Sequence, residues 1–106
     1  MIVDSENETI VLTIDGAKFR NLEGFYEEVS KNLIPTQLWG RNLDAFNDIL
    51  RGGFGTPAEG FEFKWLHSEV SRTRLGGDLF DTLADIIRSH GPGGDQAGDG
   101  VVLNLA

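Results

Sequence analysis

Residues 9–16, Thr9-Ile10-Val11-Leu12-Thr13-Ile14-Asp15-Gly16, run six β-branched or apolar-rich positions into a turn signal. That pattern predicts a well-buried first strand over 9–14, closed by Asp15-Gly16. Two further stretches read as strands. Phe61, Phe63 and Trp65 alternate with Glu62 and Lys64, a period-two pattern with one face buried. Val101-Val102-Leu103-Asn104-Leu105 ends the chain as the last.

The segments between these strands carry helical periodicity. Asn21 is placed to cap a helix in which Leu22, Phe25, Tyr26, Val29 and Leu33 form one apolar stripe, with Glu23, Glu27, Glu28 and Lys31 mainly off it. Pro35 stops that helix, because it lacks an N–H and disfavours a helical residue before it. The connector Thr36-Gln37-Leu38-Trp39-Gly40-Arg41 leads to a second, shorter helix at about 42–51, after which Gly52, Gly53, Gly55 and Pro57 break the chain. Ser68 or Ser71 opens a minor helical turn. Asp78 then heads a stronger helix with Leu79, Phe80, Leu83, Ile86 and Ile87 as its stripe, ended by Gly91-Pro92. Residues 91–100, rich in glycine and aspartate, read as a mobile loop.

The order β-α-α-β-α-β, with helices separating apolar strands, predicts an α/β fold. Its expected core is a small three-stranded parallel sheet packed with three to four helices. At 106 residues the chain fits one domain, 1–106. Apolar residues at 40% and charged residues at 25% are ordinary globular usage. With no cysteine there is no disulfide framework, thiolate nucleophile or thiolate metal site.

Seventeen Asp and Glu against nine Lys and Arg give a net charge of −8. Phosphate neutralisation needs clustered Lys and Arg, so direct nucleic-acid binding is disfavoured and a partner with a basic surface fits better. Met1-Ile2-Val3-Asp4-Ser5-Glu6 lacks the basic start and apolar run of a signal peptide, and apolar stretches reach only three or four residues. No membrane partner and a cytoplasmic location are the expectations.

The short helix is the most informative segment. With about 100° per residue, Asp48 falls about 40° from Asp44, while Leu43, Phe46, Ile49 and Leu50 gather on the opposite side. The helix would bury one face and present two carboxylates on the other, flanked by Asn47 and Arg51. Like charges at i, i+4 repel by a few tenths of a kcal/mol, and a cationic partner would reverse that. The bland alternative is a solvated face, with Asp44 favoured by the helix dipole and Arg51 paired to Asp48.

Ile14-Asp15-Gly16, Pro35, and the run Trp39-Gly40-Arg41-Asn42-Leu43-Asp44-Ala45-Phe46-Asn47-Asp48-Ile49-Leu50 resemble the barstar family of ribonuclease inhibitors. The resemblance is best over 14–50. It implies a protein inhibitor that plugs the active site of a basic secreted ribonuclease, in a one-to-one complex, with its short helix and the preceding loop. By that resemblance Asp48 takes the phosphate-binding locus and Asp44 is its acidic neighbour. Gly40 and Asn42 match the contacting loop, and Trp39 falls on the second of two adjacent aromatic positions.

The sequence departs from the pattern at four places. Leu38 replaces an aromatic contact, Asn47 replaces another between the two aspartates, Gly53 occupies a third, and Ser89 stands where an acidic contact is expected. These changes keep the phosphate mimicry and alter the contacts around it. They motivate an alternative, an immunity or regulatory protein for a different basic toxin or partner.

Other signals point to no chemistry. His67 and His90 lack a neighbouring nucleophile motif and read as structural or surface histidines. Arg51-Gly52-Gly53-Phe54-Gly55 is a single RGG-like copy in an acidic chain, better read as a turn, and lacks the spacing and lysine of a phosphate loop. Gly93-Gly94-Asp95-Gln96-Ala97-Gly98-Asp99-Gly100 supplies too few oxygens for a calcium site. Trp39 reads as a cap on the core or as an interface anchor. An acid–base enzyme built on Asp44 and Asp48 is disfavoured, since both lie on the solvent face without metal ligands nearby. The sequence therefore predicts no catalytic residue, cofactor or metal.

Overall fold

The three strands pair in parallel in the order β1-β2-β3, where β1 is Val11–Asp15, β2 Phe61–Leu66 and β3 Val101–Leu105. Four helices complete the α/β fold: α1 (Leu22–Asn32), α2 (Leu43–Ile49), α3 (Ser68–Leu75) and α4 (Gly77–Ser89). The computed structural model describes residues 10–35, 38–51, 56–57 and 60–106. Thr9 of the expected strand, Thr36-Gln37 of the connector, and Gly52, Gly53 and Gly55 of the expected break lie outside the described residues, as does the start of the chain.

Register explains the core. Ile14 pairs with Trp65 and Leu12 with Phe63 on one side of β2, while Val101 pairs with Phe61 and Leu103 with Phe63 on the other. Because side chains alternate across a strand, these residues share one face, and the helices pack onto it. Phe61, Phe63 and Trp65 are buried, as their alternation predicts. The opposite face carries the row Val11, Glu62 and Val102. Val11 is 45% exposed and Val102 48%.

That exposure corrects one expectation. The first strand reads as well buried, yet β1 is an edge strand in which Ile14 is the fully buried residue. An apolar run does not reveal whether a strand is central or at an edge, nor whether both its faces are covered.

The first helix begins where the sequence places its cap. Asn21 Oδ1 accepts from Gly24 N at 2.8 Å to open α1, whose Phe25, Tyr26 and Val29 are buried. Glu28 departs from its expected polar position. It is buried, and its Oε2 accepts the Asp15 backbone N–H at 2.9 Å, the kind of partner a buried carboxylate needs. The last long helix starts at Gly77, one residue before Asp78, and Phe80, Leu83, Ala84 and Ile87 are its buried stripe. Gly76, at φ 90°, forms the joint between α3 and α4, a conformation that glycine adopts at low cost.

An aromatic cluster fills the space between sheet and helices. Trp65 lies with its ring centroid 4.9 Å from Phe80 and 5.3 Å from Phe25. Its indole N–H donates to Ser71 Oγ at 2.9 Å, and that hydroxyl donates to Gly16 O at 3.0 Å. A buried Trp thus has its polar atom satisfied. The same chain of bonds fixes α3 over the turn after β1.

Candidate functional site

Seven residues form α2. Asn42, expected inside the helix, is its N-cap, with Oδ1 accepting from Ala45 N at 2.8 Å. At the other end Thr56 Oγ1 donates to Ile49 O at 2.6 Å, satisfying a terminal carbonyl the helix cannot. Phe46, Ile49 and Leu50 are buried, while Leu43 is half-buried. The Phe46 ring stands edge-on to Phe25 at 5.2 Å and to Phe63 at 6.3 Å. Full burial of such a side chain contributes on the order of 2–3 kcal/mol, so the helix is seated firmly by one face.

Asp44 and Asp48 are both exposed on the other face. Asp48 Oδ1 lies 3.7 Å from Arg51 Nη1, between side chains that are themselves largely exposed. An ion pair that open is worth a fraction of a kcal/mol, so Arg51 holds Asp48 only loosely.

The loop into α2 is held from two sides. Trp39 is half-buried against the core, edge-on to Tyr26 at 5.3 Å, and its Nε1 donates to Ser30 Oγ at 2.6 Å. Of the two roles open to it, the structure gives Trp39 the core-facing one. Burial pushes the Tyr26 phenol above its ordinary pKa. A β-carbon on Gly40 would lie 3.0 Å from Ala45 Cβ, so loop and helix approach closely there. Leu38, in contrast, is 93% exposed.

Asn47 does not simply flank the aspartates. It is half-buried, and its Oδ1 receives His90 Nε2 at 2.7 Å and Gln96 Nε2 at 3.5 Å. His90 is completely buried, and its Nδ1 lies 2.6 Å from Asp99 Oδ2. Arg51 Nε donates to Gln96 Oε1 at 3.1 Å. Residues 91–100, read from composition as a mobile loop, thus contain turns and a single 3-10 turn at Ala97–Asp99, and they reach α2 through side chains. Sequence reasoning missed Gln96, Asp99 and the role of His90, because the bonds from His90 and Gln96 to Asn47 span 43 and 49 residues and the His90–Asp99 contact crosses an irregular loop, where no periodicity operates. Ser89 is half-buried and bonds back to its own helix, donating to Ile86 O at 2.6 Å.

The second histidine lies elsewhere. His67, just past the end of β2, meets Asp15 Oδ1 at the last residue of β1 through its Nδ1 at 2.9 Å. The Ala17 backbone N–H, followed by His67, holds the Asp15 carboxyl below the usual carboxylate range. Among the described residues no cluster of three or more His, Cys, Asp or Glu is arranged to hold a metal. No described helix is long and apolar enough to cross a membrane.

Fold and site together define a small α/β protein whose exposed chemistry is a pair of carboxylates on a short, well-seated helix. The chain belongs to the barstar family, described as Barstar (barnase inhibitor), which it matches over residues 9–105. Members of that family are non-catalytic ribonuclease inhibitors, so this protein is an inhibitor rather than an enzyme and its partner is a protein. No curated protein matches the chain.

Proposed function

We propose that this protein blocks the active site of a basic, secreted microbial ribonuclease in a one-to-one complex, using α2 and residues 38–42 as the contact surface. The observation that carries this reading is the split character of α2. Phe46 and Ile49 are fully buried while Asp44 and Asp48 stand exposed together on the far side. Carboxylates on a helix already fixed by its core face lose little freedom on binding. They match the Arg, Lys and His that a ribonuclease gathers around phosphate.

Within that surface Asp48 is the central contact and Asp44 supports it. Leu38 supplies apolar area at the rim. Gly40 and Asn42 bring backbone close to the enzyme, with Trp39 as their backing, while Asn47 and Arg51 border the aspartates. The net charge of −8 steers a basic partner towards the surface, and salt weakens that steering. Synthesis in the cytoplasm, where an enzyme bound for export must be neutralised, belongs to the same proposal.

Titrating the purified protein against a panel of secreted microbial ribonucleases, at low and physiological salt, tests the reading. Stoichiometric inhibition of one enzyme, with slower association at higher salt, is the expected result. Recovery of a basic non-nuclease toxin as the tight partner, with no ribonuclease inhibited, would overturn it in favour of an immunity protein.

A further inference from the structure

A chain of side-chain hydrogen bonds runs from the surface at Arg51 to the buried ring of His90, and its polarity is fixed at the outer end. Arg51 Nε is a donor only, and it donates to Gln96 Oε1 at 3.1 Å. The Gln96 amide is thereby oriented, and its Nε2 faces Asn47 Oδ1 at 3.5 Å. Asn47 presents the same oxygen to His90 Nε2 at 2.7 Å. An amide oxygen only accepts, so His90 Nε2 must carry a proton. Turning Asn47 over would set its NH2 against that of Gln96. Turning Gln96 as well would set an NH2 against the Arg51 N–H.

On the other side of the ring, Nδ1 meets Asp99 Oδ2 at 2.6 Å. Both ring nitrogens therefore face oxygen partners, Asn47 at Nε2 and Asp99 at Nδ1. Among the described residues Asp99 is the charged group in hydrogen-bond contact with the ring. Asp85 and Arg88 on α4 pair with each other at 3.6 Å, and β3 contributes the Val101 N–H, which donates to the His90 carbonyl at 2.9 Å.

We infer that His90 is a positioning residue for α2, its ring fixed between Asp99 and Asn47 so that it sets the roll of the helix carrying Asp44 and Asp48. Asn47 immediately precedes Asp48 and follows Asp44 by three residues, so holding its side chain holds both carboxylates in register. The 91–100 return is, in this view, the brace of the binding helix. The importance of that roll for inhibition rests on the function proposed above. The clamp itself is a property of the free protein, so its failure and the failure of that function are separable.

The test uses the free, 15N-labelled protein at pH 7. Long-range 1H–15N spectra should place a proton on His90 Nε2. Gln96→Ala, a change in a side chain outside the core, should release Asn47 and speed exchange of the Nε2 proton about two- to five-fold, the loss expected for one long hydrogen bond. It should also shift the α2 amides between Asp44 and Asp48 while sheet amides stay in place. Asn47→Asp, which keeps an acceptor, should retain the protected Nε2 proton, whereas Asn47→Leu should lose that protection. A His90 Nε2 without a proton in the unmodified protein, or α2 amides unmoved by Gln96→Ala, would overturn the inference.

Discussion

Trp39 Nε1 donates to Ser30 Oγ at 2.6 Å, tying the loop that enters α2 to the side of α1. The loop bearing the exposed Leu38 is thus anchored one residue later, where the indole stacks edge-on against Tyr26. Ser30→Ala should remove that anchor at a cost of about 1 kcal/mol, the usual worth of one such bond. Denaturant unfolding followed by Trp fluorescence would measure the loss, and a change under a few tenths of a kcal/mol would show that water replaces the hydroxyl.

Asp48→Ala should separate binding from folding. Asp48 is exposed and its one ion pair is loose, so stability should stay within about 0.5 kcal/mol. Affinity for the inhibited ribonuclease should fall by at least about 2 kcal/mol, roughly 30-fold, as for a central interface contact. Competition titration gives the second number and circular dichroism melting the first. Unchanged inhibition would place the contact surface elsewhere.

Phe46→Ala should do the opposite. Its ring is fully buried between Phe25 and Phe63, and emptying such a site costs about 3–5 kcal/mol. Urea unfolding should show that loss, whereas Phe46→Leu should recover most of it.

Gly16 sits where a β-carbon would collide with Ser71 Oγ and lie 2.7 Å from both Leu66 O and His67 O. Gly16→Ala should therefore destabilise by about 1–3 kcal/mol through overpacking. Adding Ser71→Gly should not rescue it, because the two backbone carbonyls remain and the buried Trp65 N–H loses its acceptor. Thermal melts of the single and double variants decide the point.

Asp15 gives a defined acid dependence. Its folded carboxyl titrates below its ordinary value of 3.8, first through the Ala17 N–H and then through His67. A depressed carboxylate contributes stability above its unfolded pKa and loses it as pH falls through the folded value. The advantage of the native protein over Asp15→Asn should thus be present at pH 5 and fade below about pH 4. For so exposed a pair it should amount to a fraction of a kcal/mol. A gap that persists at pH 2.5 would assign the effect to something other than this titration.

Much of the fold was legible because its signals are local. The alternation of Phe61, Phe63 and Trp65 marks a strand face, Asn21 marks a helix start, and the spacing of Asp44 and Asp48 against Phe46 and Ile49 marks a two-sided helix. Each depends on backbone geometry over a few residues. The candidate site was readable to the same depth, since exposure of the two carboxylates follows from burial of the opposite face.

What the sequence by itself determined, then, is the set of elements, their apolar faces and the acidic pair. Only the tertiary structure decided that β1 is an edge, that Glu28 turns inward to the Asp15 N–H, and that Asn47 is claimed by His90 and Gln96 instead of being left wholly to solvent. For Glu28 and Asn47 the physical reason is the same. A polar side chain settles where its hydrogen-bonding atoms find partners, and here those partners come from chain segments 13 to 49 residues away, a distance that no local pattern encodes.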